Sequence, residues 1–416
     1  MAEDIRWDEL ALKATQVFNP GAPINLKDLF SGRRAEIRKA IDAINQRGQH
    51  AIIFGERGVG KTSLSRVLSQ HLSGYPSVIA PSVNCENADT FDTAWRKVFN
   101  RIDVSRPGSP VVGFSNAGRQ SDMFRLSDSV ESNITITTDV VRDQLEQLAE
   151  RALPILIFDE FDRLPPETAS GFADAIKNLS DHDVGATLVL VGVGDSADQL
   201  IADHRSVGRA LKQIQMPRMN PEEIGAIVHK GLDSLGMTVS PDALARIVSL
   251  ARGLPHYAHL IGVHASRAAL DAHSLEVTVG FVNRGIEFAL QDAQQTIRTK
   301  YLLATQSVKK RTLFADVLLA CALAEADERG FFTAANVRTP LCQITGKKYE
   351  LPNFAQHLAE FVDEKRGRIL QREGKTRYWY RFADPLMQPY VIMRGLQDDR
   401  TANAVLELSP PPASEP

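Results

Sequence analysis

The chain has 416 residues, 43% hydrophobic and 24% charged, with a formal net charge of −3. That length exceeds one compact core and predicts two or three domains. No run approaches the ~18 apolar residues a membrane helix needs, "MAEDIRWDEL" has no secretory-leader pattern, and the cysteines Cys85, Cys321 and Cys342 are too scattered for a disulfide framework or a CxxC metal knuckle. These features predict a cytoplasmic protein with no membrane contact and with buried, reduced thiols.

In chain order, residues 1–25 read as a lead-in with a Pro/Gly-punctuated loop, "FNPGAPI". Apolar residues from Ile37 to Ile44 recur at helical spacing, and Gly48 marks the stop. "AIIF" predicts a buried strand, followed by a glycine loop and a helix from Lys61. "SVIAPSVNC" predicts a second strand and "TFDTAWRKVFNRI" a helix. Periodicity fails over 103–137, where Ser, Gly, Pro and Asn predominate, so this stretch is expected to be a loose insertion or disordered. Helix resumes at "TDVVRDQLEQLAERA", with Thr138 as its cap; strands follow at "PILIF", "ATLVLVGVG" and "KQIQMPRM". Strands alternating with helices predict an α/β fold with a parallel sheet over 26–218.

The pattern then changes. Four amphipathic segments with Asn, Ser and Pro starts and Gly stops predict a helical domain over 219–294. Helices near 311–326, 333–343 and 352–365, followed by a hairpin in "RGRILQREGKTRYWYRF", predict a winged helix within 295–396. The tail 397–416, ending "LSPPPASEP", is expected to be disordered. Residues 295–396 hold 17 Lys/Arg and 10 Asp/Glu, so a basic module joins an acidic remainder. That asymmetry suits an anionic partner, and equally a solvated basic surface.

Within "FGERGVGKTS", Gly55, Gly58, Gly60, Lys61 and Thr62 satisfy GxxxxGK[ST] between a strand and a helix. The glycines let the backbone N–H groups of Gly55, Glu56, Arg57, Gly58, Val59, Gly60 and the helix start at Lys61, Thr62 and Ser63 turn onto phosphates. Lys61 is expected to bridge the β- and γ-phosphates, with the Thr62 hydroxyl on Mg²⁺. Asp159 ends the strand "PILIFD" and is expected to complete the Mg²⁺ shell, with Glu160 polarising the attacking water. The implied cofactors are ATP and Mg²⁺, and the implied activity is slow, Mg-dependent ATP hydrolysis.

"LFSGRRAEI", "GERGVGKTSL", "VNCENADTF", "IFDEFDRL" and "LVGVGDSADQL" together resemble the AAA+ ATPases, in particular the origin-recognition initiator-like branch, over residues 28–290. The resemblance implies a P-loop core, a helical lid and a C-terminal winged helix. It also implies a sensor-1 residue at Asp195 and a trans-acting arginine finger at Arg209, with Arg205 in reserve. The plain alternative for Arg209 is a surface ion pair. Two positions depart from that family. Asp195 stands where an Asn is usual, and "ARGLPHYAHL" puts His256 where the sensor-2 arginine would contact nucleotide. Arg252 is the candidate substitute, or an ordinary exposed helix-end arginine. A neutral imidazole stabilises phosphate charge less than guanidinium does, so turnover is expected to be slow. The same Gly-x-Pro lid before a winged helix resembles the STAND signalling ATPases, which use ATP as a switch.

Arg366, Arg368, Arg372, Lys375 and Arg377 lie on or beside the hairpin, interleaved with Tyr378, Trp379 and Tyr380. This pattern suits phosphate contacts to double-stranded DNA, or else a protein-docking module with a solvated basic face. Lys309, Lys310 and Arg311 add a second cationic cluster. His256, His259 and His264 share a helical face without a completing carboxylate or cysteine, so packed histidines are favoured over a metal site. Two functions follow. One is an AAA+ ATPase that forms homo-oligomers on ATP binding and associates with DNA, beside a replication or recombination partner. The other is a STAND-like switch, for example in bacterial antiviral defence, acting through a partner effector.

Overall fold

The computed structural model describes residues 2–20, 33–105, 123–130, 133–201, 207–306, 313–327, 329–374 and 378–398. The expected lead-in contains a helix, α1 (Ala2–Val17). Contacts divide the described residues into two units. One is drawn from Arg33–Gly55 and Lys61–Met216; the other is drawn from Met1–Gly32, Glu56–Gly60 and Pro217–Pro416.

The first unit runs α2 (Arg34–Ile44), β1 (His50–Gly55), α3 (Lys61–Leu72), β2 (Val78–Ile79), β3 (Ser82–Asn84) and α4 (Phe91–Phe99). It continues with β4 (Asp103–Ser105), β5 (Met123–Arg125), α5 (Thr138–Ala149), β6 (Leu153–Asp159), α6 (Pro166–Asp181), β7 (Thr187–Val193), α7 (Ala197–Leu200) and β8 (Leu211–Gln215). The sheet order is β8-β1-β7-β6, with β2 and β3 pairing successive parts of β6, every pair parallel. All six residues of β1 are buried, as expected for a strand covered on both faces. Pro81 cannot donate to the ladder and splits the predicted second strand into β2 and β3.

Under the sheet, Trp95 stacks on Phe172 at 5.6 Å, and Phe158 meets Phe172 edge-on at 4.8 Å. These rings are wholly buried. They fix the end of β6, where Phe158 precedes Asp159, so the aromatic core sets the place of the candidate acid.

The 103–137 stretch departs from a loose insertion wherever it is described. β4 and β5 pair as an antiparallel ladder, and Leu126, Val130 and Ile136 join the core. Residues 106–122 and 131–132 lie outside the described set. Thr137, not Thr138, caps α5, its hydroxyl accepting from Val140 N at 3.4 Å.

The second unit adds α8 (Pro221–Asp233), β9 (Thr238–Val239), α9 (Pro241–Ala251), α10 (Pro255–Asp271), β10 (Glu276–Val277), α11 (Val279–Asp292) and α12 (Gln295–Thr305). After these come α13 (Phe314–Leu323), β11 (Phe332–Thr333), α14 (Ala334–Thr345), α15 (Leu351–Val362), β12 (Leu370–Glu373), β13 (Trp379–Phe382) and α16 (Met387–Gln397). The predicted caps hold: Asn220 accepts from Glu223 N at 2.8 Å and Ser240 from Ala243 N at 3.3 Å. α1 packs on α10, and the Phe18 ring is fully buried over Gly231 and Gly262. A Cβ on Gly262 would lie 2.7 Å from that ring. The predicted hairpin forms as β12–β13, and β11 adds a third antiparallel strand. Helices α12 and α16 were not separated by periodicity. The Lys309, Lys310 and Arg311 cluster and residues 399–416 lie outside the described set. No helix among the described residues is long and apolar enough to cross a membrane.

Candidate functional site

The phosphate-loop motif begins where β1 ends and gives way to α3. A Cβ at Gly55 would lie 2.5 Å from the Met216 carbonyl oxygen, so no larger residue fits there. Gly58 and Gly60 take φ of +88° and +97°, a backbone region that L side chains avoid. The motif's glycines are thus required by packing at one place and by conformation at two others.

Lys61 is only 8% exposed, and its ammonium donates to the Gly55 carbonyl at 3.0 Å. A cation withdrawn this far from water is matched by anionic charge brought to it. One turn of helix places Thr62 and Ser65 toward β6. Thr62 Oγ1 lies 3.4 Å from Asp159 Oδ1, and Ser65 Oγ donates to Asp159 Oδ2 at 3.1 Å. The Glu160 N–H donates to Asp159 Oδ1 at 2.8 Å. Asp159 is 3% exposed, and burial raises its pKa above the usual carboxylate range, against these three donors. A buried carboxylate beside a hydroxyl is an oxygen donor set suited to Mg²⁺, which keeps most of its waters and takes one or two protein oxygens. Ser65 was not anticipated; its i, i+3 spacing from Thr62 was the available signal.

Glu160 follows directly but sits in a different environment. Its backbone is left-handed (φ 55°), and its carboxylate pairs with Arg163 at 2.7 Å, both side chains being nearly half exposed. Asp195 follows β7. Gly194 N donates to the Gly55 carbonyl at 3.4 Å, which sets Asp195 one residue from a contact with the motif's first glycine. The Asp195 N–H is held by Gln199 Oε1 at 2.8 Å. Asp162 Oδ1 accepts from Val193 N at 2.7 Å and ties the end of β7 to the loop after β6. Arg209 has an exposed side chain, and its carbonyl accepts from Gln49 Nε2 at 2.8 Å. Arg205 lies outside the described residues.

Glu56 and Arg57 extend their side chains to distant partners rather than into the cradle: Glu56 pairs with Arg218 at 2.8 Å and Arg57 with Asp384 at 3.2 Å. What these positions offer a phosphate is backbone N–H. His256, expected as a nucleotide contact, is engaged through one ring nitrogen. Its Nδ1 donates to the Pro20 carbonyl at 2.9 Å, and burial lowers its pKa, so the ring is neutral and already engaged. Arg252 is not an exposed helix-end residue. It is 7% exposed with a left-handed backbone, and it donates to the Ala322 carbonyl at 3.2 Å. Burial and the nearby Arg218 lower its pKa to about 10.

The histidine stripe is a set of packed side chains. His259 is buried beside Phe18, and His264 pairs with Asp292 at 3.1 Å. No group of three or more His, Cys, Asp or Glu that could hold a metal occurs among the described residues.

Just before the hairpin, Arg366 pairs with Glu360 at 3.2 Å and lies 3.8 Å over the Phe314 ring. Its guanidinium thus has an ion pair and a ring contact within its own module. Arg368 pairs with Glu364 at 2.8 Å in an exposed position. Arg372 lies 4.4 Å over the Tyr378 ring, and Tyr378 and Trp379 are exposed at 42% and 37%. Lys375 and Arg377 lie outside the described residues.

Residues 44–201 match the family model described as an AAA domain. Among solved structures, the chain is similar to the Walker-type ATPase PABY2304 of Pyrococcus abyssi. The TM-score is 0.54 at 18% identity, over 91% of this chain and 99% of that one. It is also similar to the ORC2 protein of Aeropyrum pernix, solved as ADPNP-ADP complexes. There the TM-score is 0.50 at 14% identity, over 94% and 98% of the two chains. No curated protein matches the chain in sequence. Identities this low speak to fold alone. Taken with the matched family model and the parallel order β8-β1-β7-β6, they give the nucleotide-site half of this chain the AAA+ P-loop ATPase fold.

Proposed function

We propose that the chain binds ATP with Mg²⁺ and hydrolyses it slowly, using nucleotide state to control homo-oligomer assembly and association with double-stranded DNA. The observation that carries this reading is the meeting of Thr62, Ser65 and Asp159 within 3.1–3.4 Å beside the buried Lys61. Bound Mg²⁺ would supply charge neutralisation at the phosphates, with Thr62 and Asp159 as its protein oxygens. The chain's own residues do the rest. Lys61 neutralises phosphate charge, the loop N–H groups orient it, and Glu160, released from Arg163, takes a proton from the attacking water. Slow turnover follows from two features: Glu160 begins in an ion pair, and the sensor-2 position offers a neutral, engaged His256. The similarity to a Walker-type ATPase and to a protein solved with ADPNP and ADP supports the nucleotide.

DNA association draws support from the exposed Arg368, Arg372, Tyr378 and Trp379 on a helix-and-hairpin module of winged-helix order. Phosphate contacts there would make retention on duplex DNA fall with salt, with a log–log slope of about −0.9 per phosphate neutralised. The primary test is calorimetry of MgATP and MgADP with the full chain and its Lys61→Ala variant. Binding by the wild type and a loss of about a hundredfold in the variant is the expected result; no heat with either nucleotide ends the proposal. A second reading, a signalling switch acting through a partner effector, is favoured by the ion pairs from Glu56 and Arg57 to Arg218 and Asp384. ADP carried through purification, with no retention on DNA, would select it.

A further inference from the structure

GxxxxGK[ST] asks for no particular residue at positions 56 and 57, yet both carry charged side chains committed to partners far along the chain. Arg57 donates to Asp384 Oδ2 and to Gln294 Oε1, each at 3.2 Å. Glu56 accepts from Arg218 Nε at 2.8 Å, and both side chains are 15% exposed. Arg218 reaches on to Gln388 Oε1 at 2.7 Å, and Gln388 Nε2 donates to the Ala322 carbonyl at the end of α13, at 2.9 Å. Between these polar ties, Leu386 closes on Gly58, with its Cδ2 2.8 Å from where a Cβ would stand. The Leu386 carbonyl accepts from the hydroxyl of the buried Tyr257. One short segment, Asp384–Gln388, thus meets the loop through an ion pair, an apolar contact and a bridged arginine.

We propose that Asp384 and Arg218 are positioning residues for the phosphate loop: docking of Asp384–Gln388 onto Glu56–Gly60 holds the loop in its phosphate-accepting shape. The inference rests on the nucleotide reading above. A loop with three glycines in seven residues loses much backbone freedom when it wraps a phosphate. Contacts that fix it beforehand remove part of that cost from binding. By linkage, a nucleotide that favours the fixed loop also favours the docked segment by the same factor. The phosphate loop Glu56–Gly60 and the segment leading into α16 are then coupled through side chains of their own unit.

The sign of the effect separates positioning from simple charge. Loss of a carboxylate near a polyanion site would by field alone tighten nucleotide binding, whereas loss of a positioning contact weakens it. The test is MgADP calorimetry on the full chain for wild type, Asp384→Asn, Arg57→Gln, the double variant and Asp384→Glu. Hydrogen exchange of residues 384–390 is followed in the same proteins with and without nucleotide. The expected result is about fivefold or more weaker binding for each single variant, at the low end of coupling between linked sites. The double variant should be no weaker than Arg57→Gln alone, and Asp384→Glu should recover most of the affinity. Exchange of 384–390 should be faster in nucleotide-free Asp384→Asn than in nucleotide-free wild type, and slowed by MgADP in wild type. Wild-type or tighter affinity in Asp384→Asn, or unchanged exchange, overturns the proposal. If the wild type binds no nucleotide the earlier reading fails instead, and nucleotide-free exchange still decides whether Asp384 docks the segment.

Discussion

The region around Asp159 and the basic hairpin of β12 and β13 both bring many polar side chains together, with opposite outcomes. Near Asp159 the groups are short, sit on a strand end and one helix turn, and converge on a single carboxylate. On and just before the hairpin the cations are long, and several reach back into their own module: Arg366 to Glu360 and Phe314, Arg368 to Glu364, Arg381 to Gln371. Side chains with one or two torsions go where the backbone sends them. Arginines on flexible stems find whatever partner is nearest. A residue pattern therefore forecasts a site well in the first setting and poorly in the second.

Perturbing each region sharpens the contrast. If the proposed oligomer forms and Arg209, whose side chain is exposed, acts across it, the largest effect is expected there. Arg209→Ala should lower hydrolysis by about 10³–10⁵ with ATP affinity unchanged, as for trans-acting arginines generally. An unchanged steady-state rate removes that assignment. Glu160→Gln should reduce hydrolysis by about 10²–10⁴ while retaining ATP, the range of a general base. Rapid-quench analysis of bound nucleotide separates the two steps.

His259 tests the cost of burying an imidazole. Among the described residues neither of its ring nitrogens has a hydrogen-bond partner, and burial lowers its pKa from 6.5 to about 4. Between those values an unfolded chain takes up a proton that the folded ring refuses, so stability falls as pH drops through this window. The loss between about pH 7 and pH 5 should be about 2 kcal/mol. His259→Leu should flatten the acid limb of urea-denaturation midpoints; an unchanged limb would assign it to other groups such as His50, which is also lowered to about 4.

The smallest effects belong to the hairpin and should differ in kind. Arg366→Ala should cost about 1–2 kcal/mol of stability, from its ring contact and ion pair, and leave the salt slope of DNA retention unchanged. Arg372→Ala should leave the melting temperature alone and lower that slope by about 0.9. Reversed phenotypes would show that Arg366 faces the nucleic acid.

Much of this was legible from residues alone. "AIIF", "PILIF" and "ATLVLVGVG" are short, β-branched apolar runs bounded by turn residues, which suits strands covered on both faces. GxxxxGK[ST] then fixed Lys61 and Thr62, because strand and helix flank it. What escaped notice depended on contacts between distant segments. Nothing in "FNPGAPI" announces that Phe18 is a core residue. Nothing in "RGLPHY" announces that Arg252 turns inward to the Ala322 carbonyl or that His256 finds Pro20. Over 103–137, polar composition hid three apolar residues, Leu126, Val130 and Ile136, spaced too irregularly to register as a period.

Gly231 in the last turn of α8 and Gly262 in the middle of α10 are helical glycines, a residue that weakens a helix interior by about 0.5–1 kcal/mol relative to alanine. Their use becomes plain from the ring they admit: together they floor a socket for Phe18 that any side chain would fill. A shortened version starting beyond Phe18 would therefore leave a phenyl-sized void between two helices, which relaxation would close only in part. Such a truncate should bind hydrophobic dyes and self-associate, and a methyl group added at Gly262 should evict the plug and reproduce the defect in the full-length chain.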